Sequence, residues 1–130
     1  MITGFEEQTS TITHAEKITA DRLVRILKLH CHGEANAKTA DKLRLHLLNT
    51  YGEGRDLKGA RFRKVVNYIR TNHLVKNLIS SSSGYWIETD KQRVREYVES
   101  LRQRAAAILA VSESFDISDP KPEPRQISLF

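Results

Sequence analysis

The sequence has 130 residues, 39% of them hydrophobic, a length and composition that suit one modest core and call for no second domain. No apolar run approaches the length of a membrane span, the first residues lack the charged and apolar regions of a secretory signal, and a single cysteine, Cys31, excludes an internal disulfide, so a cytoplasmic setting is expected. The formal net charge is +5, yet residues 55–76 hold seven Lys or Arg against one acid, Asp56, so a strongly basic segment sits in a near-neutral body. Clustered cations release counterions together from a phosphate backbone, and that layout points toward nucleic acid.

Residues 1–12 are polar and threonine-rich without a period and read as a flexible N-terminal arm. Thr13-His14-Ala15-Glu16 has the S/T-x-x-E form of a capping box and should start the first helix, with Ala20, Leu23, Val24, Leu27 and Cys31 as its buried stripe and Gly33 near its end. Thr39 is the next cap, opening a shorter helix lined by Leu43, Leu47 and Leu48, and Asn49 to Asp56 forms the following turn.

The basic helix comes next. Phe62, Val65, Val66 and Ile69 recur at i, i+3, i+4 and i+7 and face a core. At about 100° per residue, Ala60, Lys64, Asn67 and Thr71 then point away, with Arg63 and Arg70 on one shoulder and Arg61 and Tyr68 on the other. A two-stranded ribbon follows, with Leu74, Leu78 and Ile79 on its first strand, Ser80 to Gly84 as tip, and Tyr85, Trp86 and Ile87 on its second. Serines at such a tip can bond phosphate oxygens, although serine and glycine are also ordinary turn residues.

Thr89-Asp90-Lys91-Gln92 offers a second capping box for a long helix over residues 90–115, whose first half should pack on the domain. Its apolar positions Val94, Val98, Leu101, Ala105, Ile108, Ser112 and Phe115 alternate by four and three. The second half exceeds what so small a core can cover, which leaves open pairing with a partner helix, with its own copy as a homodimer, or with the first helix. Residues 116–130 carry Pro120, Pro122 and Pro124 and read as an extended, disordered tail that ends in large apolar side chains, as a docking peptide would.

The expected fold is therefore mostly α, a winged helix-turn-helix over residues 13–89 (three helices plus a two-stranded wing), followed by the long helix and the tail. The tail Gln126-Ile127-Ser128-Leu129-Phe130 resembles the pentapeptide, usually Gln-Leu-Ser/Asp-Leu-Phe, by which bacterial and phage replication and repair proteins bind the sliding clamp. That resemblance implies Gln126 as polar anchor and Leu129 and Phe130 as apolar anchors, with Ile127 in place of the usual Leu. Gly59-Ala60-Arg61-Phe62-Arg63-Lys64-Val65-Val66-Asn67-Tyr68-Ile69-Arg70, the Gly84-Tyr85-Trp86-Ile87 wing and Tyr97-Val98-Glu99-Ser100-Leu101-Arg102 resemble small uncharacterised winged-helix proteins of phages and prophages. This second resemblance implies the fold and a DNA-associated setting, not a mechanism.

His30-Cys31-His32 invites a metal reading, but consecutive helical residues diverge and no second ligand pair has the needed spacing, so no metal is expected. No phosphate loop, carboxylate cluster or serine elbow appears, and neither an enzyme nor a cofactor is expected. The function expected is a phage-type accessory protein on duplex DNA, docked on the clamp and not associated with a membrane. Lys58, Arg61, Arg63, Lys64, Asn67, Arg70, Thr71, Lys76, Ser81, Ser82 and Ser83 are its candidate DNA contacts. The alternatives are an adaptor that joins the clamp to another protein, and a dimeric winged-helix transcriptional regulator.

Overall fold

The computed structural model describes residues 12–117, so the expected clamp-binding residues 126–130 and all but the last residue of the expected arm lie outside it. Four helices and one antiparallel hairpin follow in the order α1 (His14–His30), a 3-10 turn (Glu34–Asn36), α2 (Ala40–Tyr51), α3 (Ala60–Thr71), β1 (Leu78–Ser81), β2 (Gly84–Ile87) and α4 (Lys91–Glu113). No helix among the described residues is long and apolar enough to cross a membrane.

Local chemistry sets the helix starts. Thr13 Oγ1 accepts from the Glu16 amide at 3.1 Å while the Glu16 carboxylate accepts from the Thr13 amide at 2.9 Å, a complete capping box. Thr39 caps α2 through the Lys42 amide at 3.3 Å. The last helix starts one residue later than expected, because Asp90 and not Thr89 accepts the Gln92 amide, at 2.9 Å. A charged carboxylate is the stronger acceptor for a free helix amide.

Leu23 and Leu27 of α1 with Cys31 just after it, Leu43 and Leu47 of α2, and Phe62, Val65 and Ile69 of α3 meet in one core closed by Leu57, Val75 and Leu78. The core also takes Thr19 and Ile26 on α1, and Ile12, assigned to the loose arm from its polar surroundings, is buried. Leu74 was expected on the first strand and instead ends α3. The Leu74 amide bonds the Ile69 carbonyl at 3.0 Å and the His73 amide the Arg70 carbonyl at 3.2 Å, a Schellman ending with His73 at φ 56°. Leu74 then packs half-buried against the core, the usual place for the apolar residue of that motif.

The hairpin pairs Leu78 with Ile87, Ile79 with Trp86, Ser80 with Tyr85 and Ser81 with Gly84, leaving Ser82 and Ser83 as its tip. β2 is bonded on its other side as well. Ile87 N donates to Cys31 O at 2.7 Å and its carbonyl accepts from Gly33 N at 2.9 Å, and Tyr85 and Lys38 exchange two bonds at 2.8 and 3.1 Å. The connection between α1 and α2 thereby holds the hairpin to the helical core. The approach is so close that a Cβ on Gly84 would sit 2.4 Å from the Lys38 carbonyl carbon and oxygen.

The first half of α4 was expected to pack on the domain, and it does so only along one line, where Val94, Tyr97 and Ser100 are half-buried. No residue of α4 is fully buried. Its attachment is polar: Arg93 reaches Glu34 and approaches Glu88, and Tyr97 meets Ser80.

Candidate nucleic-acid interface

The outer face of α3 and the hairpin tip are both exposed, and Arg70 joins α3 to the first strand of the hairpin. Arg63, Asn67 and Thr71 are exposed along the helix, Lys58 lies just before it, Lys76 follows it, and Ser81, Ser82 and Ser83 are exposed at the tip. The Thr71 hydroxyl donates to the Asn67 main-chain carbonyl at 2.9 Å. The tip is ordered by the Ser83 amide donating to Ser81 Oγ at 3.0 Å.

Three of the cations expected on this surface are used otherwise. Lys64 is only 3% exposed, although its helical angle turns it away from the core. A helical period reports direction from the axis and nothing about what covers the far side, so pattern alone could not find this burial. Arg61 is taken by the first capping box: its Nε donates to Glu16 Oε2 at 2.7 Å and its Nη2 to Glu16 Oε1. Its task is to tie the start of α3 to the start of α1, and the sequence gives no sign of it because the partners are 45 residues apart.

Arg70 is likewise turned inward. Its Nε and Nη2 donate to the Leu78 carbonyl at 3.1 and 2.9 Å, and Nη2 also reaches Ser80 Oγ at 3.2 Å and Tyr97 Oη at 3.5 Å. One guanidinium thus joins α3, β1 and α4, a use that needs its planar fork of donors. Burial raises the Tyr97 hydroxyl pKa, but the bond with Ser80 and the charges of Arg70 and Arg104 outweigh it and leave the group below its ordinary value. Tyr85 moves the other way, raised by burial against the opposing charges of Arg70 and Arg63.

Beside this cluster lies an open cleft of about 440 Å³ lined by Thr39, Ser80, Ser81, Ser82, Tyr85 and Arg104. Arg104 was not among the sequence candidates. The line Val94, Tyr97, Ser100, at i, i+3 and i+6, carries on to Arg104, so the signal was present and was masked by the stronger apolar heptad. A second opening of about 390 Å³ lies along α2 between Lys38, Lys42 and His46.

No family model matches the chain, and no curated protein or solved structure matches it.

The interface therefore rests on its own geometry. Of the candidate contacts, Lys58, Arg63, Asn67, Thr71, Lys76 and Ser81 to Ser83 are exposed, while Lys64, Arg61 and Arg70 are buried or bonded within the protein. Among the described residues no three His, Cys, Asp or Glu side chains group as metal ligands. His30 and His46 meet instead as a ring pair with centroids 4.9 Å apart, and Cys31 is a free thiol in the core. Gln126, Ile127, Ser128, Leu129 and Phe130 lie outside the described residues, and their reading rests on the sequence.

Proposed function

We propose that the chain is a non-enzymatic, phage-type accessory protein whose winged helix-turn-helix binds duplex DNA and whose Gln126 to Phe130 docks on a sliding clamp. The observation that carries the DNA reading is the exposed row Arg63, Asn67, Thr71 on one face of α3, the helix that Arg70 ties to the strand leading into the exposed serine tip. A helix placed with that row in the major groove offers Arg63 and Asn67 to base edges, the side chains best suited to guanine and adenine. Lys58, Lys76, Arg104 and the tip serines are the groups for phosphate oxygens.

With Arg61, Arg70 and Lys64 otherwise used and Arg63 on base edges, Lys58, Lys76 and Arg104 remain for phosphates, so log K should fall with log salt at a slope of about −3. The test is duplex binding across a salt series with the full chain and with Arg63→Glu. Salt-dependent binding that the variant loses supports the reading; absence of binding at low salt, or an unchanged Arg63→Glu protein, rejects it. The clamp half is tested by calorimetry on a purified sliding clamp with the full chain and with a protein ending at Arg125. Equal heats from both would reject the tail.

A further inference from the structure

Helix α4 is 23 residues long and buries none of them, and from Leu101 through Ile117 every residue is exposed. Ile108 is 71% exposed, Leu109 59%, Val111 60% and Phe115 68%. A contiguous apolar surface of this kind on a projecting helix is what a binding interface presents. The domain does not need this face. At about 100° per residue, the seam Val98, Leu101, Ala105, Ile108, Ser112, Phe115 is centred roughly 50° around the helix from the line of Val94, Tyr97 and Ser100 that touches the hairpin side. The contact line ends at Ser100, so from Leu101 onward the seam is free of the domain.

We infer that this seam pairs with the α4 of a second copy of the chain, antiparallel, in one register. That register sets Val98 against Phe115 of the other copy, Leu101 against Ser112, and Ala105 against Ile108, and by the two-fold each pairing occurs twice. Every large side chain then meets a smaller one, the condition for filling a seam without gaps or overlap. A parallel pairing would instead put Phe115 on Phe115 and Ile108 on Ile108 while leaving Ala105 and Ser112 facing their own kind, alternately overfilled and empty. Sliding the antiparallel pair by one heptad toward the C-terminus keeps only the layers from Ala105 onward. The size pattern is complementary to itself, so the occupant is this chain.

The area sets an upper limit on the strength of the pairing. With roughly 150–250 Å² for a large aromatic side chain and somewhat less for the aliphatic ones, the exposures put roughly 600 Å² of apolar surface on Val98, Leu101, Ile108, Leu109, Val111 and Phe115 of each copy. Two copies reach at most about 1,200 Å², with all of it covered, which is the lower edge of the range for specific association and fits a dimer of modest affinity. Leu109 and Val111 flank the seam near its centre and widen it there.

Sedimentation equilibrium of the full chain from about 5 to about 500 μM, without DNA, should show a monomer–dimer equilibrium. Ile108→Glu, at an exposed site that leaves the monomer fold alone, should shift it at least about tenfold toward monomer. Orientation is read by oxidation of Val98→Cys and Phe115→Cys proteins, Cys31 being buried and silent. A covalent dimer that forms only when the two variants are mixed supports the pairing. A dimer from either variant alone shows a parallel pair and overturns it. A monomer throughout also overturns it and leaves the seam to a foreign chain or to another segment of this one. None of these readouts involves DNA, so Arg63→Glu binding is judged separately.

Discussion

Replacing Glu16 by Gln tests whether Arg61 belongs to the fold or to the ligand surface. The Glu16 carboxylate accepts the Thr13 amide at 2.9 Å and Arg61 Nε at 2.7 Å, so a neutral amide of the same shape loses the charge-assisted pair with Arg61 and sets an NH₂ against its guanidinium. Hydrogen bonds to charged groups are worth about 1.5–3 kcal/mol, and the lower figure applies because the Arg61 side chain is about a third exposed and partly screened. A loss of about 1.5 kcal/mol lowers the Tm of a domain near 100 residues by roughly 6–12 °C. The pH dependence gives a second check. Burial pushes the Glu16 carboxyl up, but the bonds from Arg61 and Thr13 outweigh it and hold the group below its usual 4.5. A depressed folded value means that the stabilisation is complete above that usual value and is lost as pH falls through the folded one. Thermal melts followed by circular dichroism should therefore show a gap between wild type and Glu16→Gln at pH 7 that closes toward pH 3. Equal melting temperatures at pH 7, or a gap undiminished in acid, would refute the role given to the pair.

Arg61→Ala should cost a similar amount and leave the salt slope of duplex binding unchanged; a slope flatter by about one unit would return Arg61 to the phosphate contacts. Gly84→Ala should cost about 3 kcal/mol or more in urea unfolding, because its Cβ would collide with the Lys38 carbonyl, whereas Gly33→Ala, at φ +81° with open space around it, should cost about 1 kcal/mol. Glu88 accepts Trp86 Nε1 at 3.0 Å and the Thr89 and Asp90 amides at 3.1 and 3.0 Å, bonds that hold its carboxyl below the usual range against the effect of burial. Glu88→Gln has one acceptor oxygen for those donors, so it should lower the urea midpoint at pH 7 and remove the acid-side change in Trp86 fluorescence below about pH 4.5. Cys31 is fully buried with its thiol pushed up by burial, so alkylation of the native protein at pH 8 should be at least about 100-fold slower than in urea.

The parts of this molecule written in short-range chemistry were legible in its sequence. The Thr13 box, the Thr39 cap, the i, i+3, i+4, i+7 face of α3 and the ribbon after it depend on residues within a turn or two of each other, and the structure has them where the pattern puts them. The candidate site was legible only as a basic neighbourhood. Which cations face solvent was decided by partners remote in the chain: Glu16 for Arg61, the Leu78 carbonyl and Tyr97 for Arg70. Leu74 misled because a Schellman ending built on His73 carries no glycine to announce it. The bridges from the segment after α1 to β2 were illegible for another reason, since a rung two residues long has no period.

The grip of Arg70 on the Leu78 carbonyl has a consequence for life at high concentration. The Glu88 amide bonds the Asn77 carbonyl, so in the alternating pattern of an antiparallel pair Leu78 turns its own N–H and C=O away from β2, toward the open side of the hairpin. An open strand side is a template on which any passing chain can add a strand of its own. Here the first carbonyl of that template is already occupied by a guanidinium, and the next residue along, Ser80, has its hydroxyl engaged by Tyr97 of α4. The same arginine that fastens the hairpin also blunts the place where aggregation would begin.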